Sequence, residues 1–336
     1  MRAARILISS REFRLVDIPV PSPGLGQVRI DVRAAGVCLS DVHLLTGVIT
    51  PAYLIGDEVT LGHEIAGVIE EIGESVEDWS VGDRVIVCAG VRDENNRVTT
   101  LGFDYDGGFA EFIVTDISTL VKIPDNLGFE EACIIPDAVS TPWAAITQTA
   151  QVKEGESVAV FGIGGLGIHA VQLLRIIGAS PIIAVDPIPE ARTRALSVGA
   201  DFAFDPEDPK FLEQATGVTV GVGVDAAFDF AGSGSARNQA LRMLTEGGRL
   251  VIVGLANESI VIPNDIAFAY KRSQVLGHYG SERFHTQQLV DLIRDGRLDL
   301  SASISEMMSL ENIRDALDQL ENKTNNPIRI VIKPSI

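Results

Sequence analysis

The sequence predicts an α/β protein in two parts, a mostly β domain and a doubly wound parallel sheet. Two patterns carry this. Up to about Ile135, short strand-like segments are divided by Gly and Pro, as at 27–32, 64–72, 84–88 and 109–114. From Gly155 onward, apolar runs of strand length alternate with amphipathic stretches of helix length, the mark of βαβ units with helices on both faces of a parallel sheet. At 336 residues, 46% of them hydrophobic, the chain is long enough to bury two such cores.

The elements follow in order. Strand 157–161 and helix 166–177 open the alternation, then strand 182–185, helix 190–198, strand 201–204, helix 209–216 and strand 225–230. Helix 236–244 and strands 249–253 and 274–277 complete it. Beyond Gly280 come two helices, 284–295 and 310–321, and a last strand, 328–332, with no internal repeat or low-complexity segment.

Lys and Arg number 27 against 46 Asp and Glu, a net charge of −19, and no basic run offsets it. Nucleic acid and anionic membrane surfaces are therefore not expected as partners. Cys38, Cys88 and Cys133 are too few for a disulfide framework and read as free thiols or metal ligands. The opening apolar stretch is cut off by Ser9, Ser10, Arg11 and Glu12 without a small-residue cleavage site, and no apolar run approaches the roughly 18 residues that span a bilayer. The expectation is a soluble, cytoplasmic protein with no signal peptide.

Strand 157–161 runs straight into Gly162-Ile-Gly164-Gly165-Leu-Gly167, and an apolar-periodic helix follows at once. In that setting Gly162 permits a tight turn, Gly164 lets the backbone approach a pyrophosphate, and Gly167 lets helix and strand pack closely. The helix N-terminus offers N–H groups and a positive dipole end to the phosphates. Asp186 closes the next strand nineteen residues after Gly167 (186 − 167), where a ribose-binding carboxylate is expected. Such a carboxylate accepts from a ribose 2′-OH and repels a 2′-phosphate, which favours NAD over NADP.

A second cluster lies in the first part of the chain: Cys38-Leu-Ser40-Asp41-Val-His43, then Gly62-His63-Glu64. Cys38 and His63 are ligand types that zinc favours, and a catalytic zinc takes three protein ligands while leaving a fourth position open. By type alone the third is Cys88, Cys133, Asp137, His169 or His278, and spacing does not choose among them. Plain structural roles compete: Cys38 as a small core residue, His63 in a turn, Asp137 as a helix cap.

Taken together, Cys-x-Ser-Asp-x-His at 38–43, Gly62-His63-Glu64, Gly82-Asp83-Arg84-Val85, Gly107-Gly108-Phe109-Ala110-Glu111 and the glycine string at 162–167 resemble the zinc-containing alcohol dehydrogenases of the medium-chain dehydrogenase/reductase family, in order and from end to end. The resemblance implies a GroES-like β catalytic domain from both chain ends (1–138 and 280–336), an inserted Rossmann domain (139–279), and an active site in the cleft between them. It implies one catalytic zinc on Cys38, His63 and Asp137, with Asp137 standing where many relatives have a second cysteine. Glu64 would sit beside the metal as an exchange ligand, Asp41 would orient His63, and Ser40 would touch the substrate oxygen. Thr141 and the Val253-Gly254 turn would contact the nicotinamide, Arg329 would reach the cofactor phosphates, and Gly165, Leu166 and Arg192 join the cofactor set. Relatives often carry a lobe of four cysteines around a structural zinc, whereas residues 88–111 hold one cysteine, so no structural zinc is expected. Leu39 replaces a basic residue that some relatives place against the pyrophosphate.

The implied reaction is reversible oxidation of an alcohol by hydride transfer to NAD, with Ser40, the cofactor ribose and His43 passing the proton to solvent. Ile49, Ala89 and either Trp143 or Tyr279 would line a mostly apolar pocket suited to a medium-sized apolar or secondary alcohol or its ketone. A homodimer or homotetramer is expected. The rivals are a zinc-free quinone or enoyl reductase of the same fold and a dinucleotide-binding protein without catalysis.

Overall fold

The computed structural model describes residues 1–92, 97–262 and 264–335. The chain divides into two compact units, Met1–Ser140 with Ser281–Ile336, and Thr141–Gly280. The changeovers fall two residues and one residue beyond those read from the sequence.

The first unit is organised by one long strand, β1 (Gln27–Val37). Up to Val32 it alternates buried and half-buried positions, as expected for a sheet with one wet face. From Ala34 to Val37 every position is buried, because β1 is there flanked by β2 (Glu64–Ile72) on one side and the closing strand Arg329–Lys333 on the other, both antiparallel. The short helix α1 (Leu39–Thr46) follows directly. Its core joins Val28, Ile30, Val32, Ile65 and Ile69 to Ile330 and Ile332, so both chain ends are stitched into one apolar centre. A strand was expected at 109–114; it forms instead at Phe112–Asp116. Phe109 and Ala110 are diverted to a brace: Phe109 N donates to Leu61 O and Phe109 O accepts from Ala4 N, both at 2.8 Å.

The second unit runs β3 (Val158–Phe161), α2 (Gly167–Ile177), β4 (Ile182–Val185), α3 (Pro189–Ser197), β5 (Phe202–Phe204), α4 (Phe211–Val218), β6 (Val224–Asp229), α5 (Gly234–Met243), β7 (Leu244–Ile252) and β8 (Gln274–Gly277). The sheet order is β5-β4-β3-β6-β7-β8 with every pair parallel. That is the doubly wound arrangement, and its order reverses between β3 and β6. Every residue of β3 and β4 is buried, which explains their unbroken apolar text. Phe161 meets Phe211 edge-on, with ring centroids 6.2 Å apart, where α4 covers the sheet. Among the described residues no helix is long and apolar enough to cross a membrane.

Candidate metal centre and dinucleotide site

The first unit brings Cys38, His63, Glu64 and Asp137 together, each offering one ligand atom, all within 4.8 Å of one another. Cys38 is the N-cap of α1, and Asp41 in the first turn accepts from Cys38 N through Oδ2 at 2.9 Å, which fixes the thiol at the helix mouth. Asp41 is wholly buried, and its Oδ1 stands 3.4 Å from His63 Nδ1, leaving Nε2 aimed into the cluster. Asp137 arrives on a π-helical turn, Ile135–Val139, a wide turn often found at functional sites.

The spacing suits a tetrahedral ion, whose ligands at bonds of roughly 2.0–2.3 Å stand about 3.3–3.8 Å apart. Cys38 Sγ is 3.3 Å and His63 Nε2 3.6 Å from Asp137 Oδ2. Cys133, a rival for third ligand, instead donates from Sγ to Glu130 O at 3.2 Å and lies outside the cluster. His169 faces Gly165 O at 2.6 Å and His278 sits between Thr149 Oγ1 and Thr141 O, both in the second unit. Cys88 is buried, with its thiol pushed up to about 11 by burial.

The electrostatics of the cluster favour positive charge. Burial alone would drive His63 toward the neutral form, but the Asp41 charge and hydrogen bonds to Asp137 and Asp41 outweigh it and hold His63 well above its ordinary value. Burial would likewise raise Asp137, yet its hydrogen bond to His63 and the charges of His63 and Arg329 hold it well below the carboxylate range. Positive charge is drawn to the point where the ligand atoms converge, and the donor set of one sulfur, one nitrogen and one oxygen fits zinc.

Arg329, expected at the cofactor phosphates, is 2% exposed, with Nη2 at 2.9 Å from Glu64 Oε1 and 3.7 Å from Asp137 Oδ2. The closing strand delivers it beside β1, where the buried Glu64 carboxylate needs a partner. Burial raises Glu64 to about 8 despite the opposing Arg329 charge. Gly36, opposite Glu64 in the ladder, makes the slot: a Cβ there would lie 2.1 Å from Glu64 Oε2. A glycine inside a strand is the signal of close approach that could have revealed this.

Ser40 Oγ lies 3.6 Å from Cys38 Sγ, at the same helix mouth. His43, one turn along α1, is half-buried, and burial lowers its pKa. Around residues 88–111, Gly90–Arg92 pairs with Val98–Thr100, and Asp104 accepts from Thr100 N and Tyr53 N. Asp93, Glu94, Asn95 and Asn96 of that segment lie outside the described residues.

In the second unit the glycine loop has the geometry its motif requires. Gly162 has φ +86° and packs against Ala231, while a Cβ on Gly167 would lie 1.8 Å from Gly162 O. Gly164 has open space around it and is exposed, so a phosphate can approach its backbone. Leu166 is the N-cap of α2, with Gly165 just before it. Asp186 ties this loop to the end of β4, accepting from Ile163 N at 2.7 Å and Ile188 N at 2.8 Å. Arg192 Nη1 donates to Asp186 O and Pro187 O, so it braces the turn that carries the carboxylate. Thr141 and Val253 are both buried, and Val253 N donates to Asp229 O at 3.0 Å.

Comparison with known proteins agrees with this anatomy. Residues 24–125 match the alcohol dehydrogenase GroES-like domain, and residues 165–295 match the zinc-binding dehydrogenase domain. The chain is 30% identical over 351 residues to a sorbitol dehydrogenase of Bacillus subtilis (strain 168), covering 100% of this chain and 98% of that one. It is also 30% identical over 355 residues to an (R,R)-butanediol dehydrogenase of the same organism, covering 100% of both. A zinc-binding dehydrogenase from Sinorhizobium meliloti 1021, bound to NADP, matches the fold with a TM-score of 0.90 at 26% identity over 99% of each chain. The chain belongs to the zinc-containing alcohol dehydrogenases of the medium-chain dehydrogenase/reductase family, enzymes that work with zinc and a nicotinamide dinucleotide.

Proposed function

We propose that this protein oxidises a secondary alcohol to its ketone, reversibly, with NAD and one zinc held by Cys38, His63 and Asp137. The convergence of those three ligand atoms at zinc spacing carries the reading. Relatives named for sorbitol and for a butanediol, both bearing secondary hydroxyls, support the substrate class. When bound, zinc supplies a Lewis acid that makes the substrate hydroxyl more acidic, and the dinucleotide accepts the hydride.

The chain's own residues do the rest. Asp41 holds His63 in the orientation that presents Nε2. Ser40 takes the hydroxyl proton and His43 passes it to solvent, since a lowered pKa keeps its imidazole neutral and ready to accept. Arg329 holds Glu64 in reserve beside the ligands rather than among them. Asp186 favours NAD, because both its oxygens already accept backbone N–H groups and a 2′-phosphate beside it would meet a fixed negative charge. We further propose that no structural zinc is held in residues 88–111 and that the protein is cytoplasmic. It works as a homodimer or homotetramer, with the exposed Ile260, Val261, Ile266 and Tyr270 available for self-association.

A zinc-free quinone or enoyl reductase has no use for a buried Cys-His-Asp-Glu cluster, and a silent dinucleotide binder has no need to keep it. Elemental analysis with an alcohol-dependent rise in NADH absorbance tests the proposal. We expect about one zinc per chain and turnover of secondary alcohols; a metal-free protein that still reduces quinones would overturn it.

A further inference from the structure

One buried ion pair plays no part in the chemistry above. Asp229, wholly buried, ends β6, and Arg237, 3% exposed, lies in α5. Asp229 Oδ2 accepts from Arg237 Nε at 2.8 Å, and Oδ1 accepts from Gly232 N at 2.9 Å. The Asp229 carbonyl accepts from Val253 N at 3.0 Å and Gly254 N at 2.7 Å, while Arg237 Nη2 donates to Gly254 O at 3.0 Å. Residue 254 is therefore held at both its N–H and its carbonyl by this one pair.

The location gives the pair a purpose. Asp229 is paired in the sheet with Phe161, the residue before Gly162, and with Ile252, the residue before Val253. It stands at the carboxyl ends of β3, β6 and β7, where the strand order reverses and where such sheets bind their ligands. A buried ion pair adds little stability over an apolar replacement, so packing alone gives no reason to keep one there.

We propose that Arg237 is a positioning residue for the nicotinamide half of the dinucleotide: through Asp229 and Gly254 O it locks the Val253-Gly254 turn in the shape that the nicotinamide meets. This rests on the dinucleotide reading above. The Arg237 hydrogen bonds go to Asp229 and Gly254 O rather than to the glycine loop or Asp186, which serve the phosphates and adenosine ribose.

Binding of NADH and of ADP-ribose, which lacks the nicotinamide, separates the possibilities. Arg237→Met with Asp229→Asn removes both charges together and leaves no lone buried ion. Arg237→Lys, which keeps the charge on Asp229 but loses the fork reaching Gly254 O, serves if the double variant does not fold. The expected result is an NADH Kd raised about tenfold or more with the ADP-ribose Kd within about twofold of the original protein. Equal weakening of both ligands would reduce the pair to a structural role, and no change in either would remove it from cofactor binding; both outcomes overturn the proposal. If the unaltered protein binds neither ligand, the dinucleotide reading itself fails and the proposal falls with it.

Discussion

The metal cluster and the glycine loop deal with charge in opposite ways. In the first unit, side chains from four separate places in the chain, the mouth of α1, the start of β2, a π-turn and the closing strand, converge on one buried point. In the second unit a single run, residues 162–167, prepares for phosphates with its backbone alone. The cluster is held by mutual electrostatic need, so loss of one member leaves the others buried and unbalanced. The loop is held by close packing, so its side chains matter little and its lack of Cβ atoms matters greatly. Metal chemistry and cofactor binding should therefore fail separately.

Cys38→Ser should break the comparison most sharply. We expect loss of zinc and an activity drop of at least about 10³-fold, since the Lewis acid contributes several kcal/mol, with NADH affinity nearly unchanged. Loss of NADH binding in that variant would contradict the separation. Arg329→Met should leave Glu64 buried without its partner and lower unfolding stability by about 1–3 kcal/mol near neutral pH, where Glu64 is largely protonated, and by more at alkaline pH, in denaturant titration; a stability change within error at both would show that Glu64 is accommodated otherwise. His43→Ala should cost roughly 10²-fold in rate near neutral pH. Because burial lowers the His43 pKa, the unaltered protein should keep its rate to somewhat lower pH than an exposed histidine permits, and the variant's deficit should shrink at alkaline pH, where hydroxide takes the proton. A deficit independent of pH would remove His43 from the relay. In the second unit, Asp186→Ala should narrow a preference for NAD over NADP of about tenfold, worth about 1.4 kcal/mol, as read from kcat/KM with each cofactor. An unaltered enzyme that uses both equally would refute the role of that carboxylate.

The same contrast decides what the sequence disclosed. The glycine loop and the βαβ alternation lie in contiguous text with local periodicity, so the six-stranded sheet and the loop were legible without any relative. The cluster was only half legible. Cys38 and His63 sit in recognisable turns, but Asp137 lies 74 residues beyond His63 (137 − 63) and is chosen by tertiary packing, so only the family resemblance singled it out from five candidates. The ion pair between Arg329 and Glu64 was not legible, because nothing local says that the closing strand ends its journey beside β1. Gly36 left a trace, a glycine inside a strand, whose meaning needs the carboxylate across the ladder. Asp229 and Arg237 look like ordinary charges at the end of a strand and in a helix; their burial exists only in the folded sheet.

The identity of the third ligand tests the account most directly. Zinc content should be measured in the unaltered protein, in Asp137→Ala and in Cys133→Ala, after identical exposure to a mild chelator. The account predicts about one zinc per chain in the unaltered protein and in Cys133→Ala, whose thiol is turned to Glu130 O, and little or none in Asp137→Ala. Zinc retained without Asp137 and lost without Cys133 would contradict it.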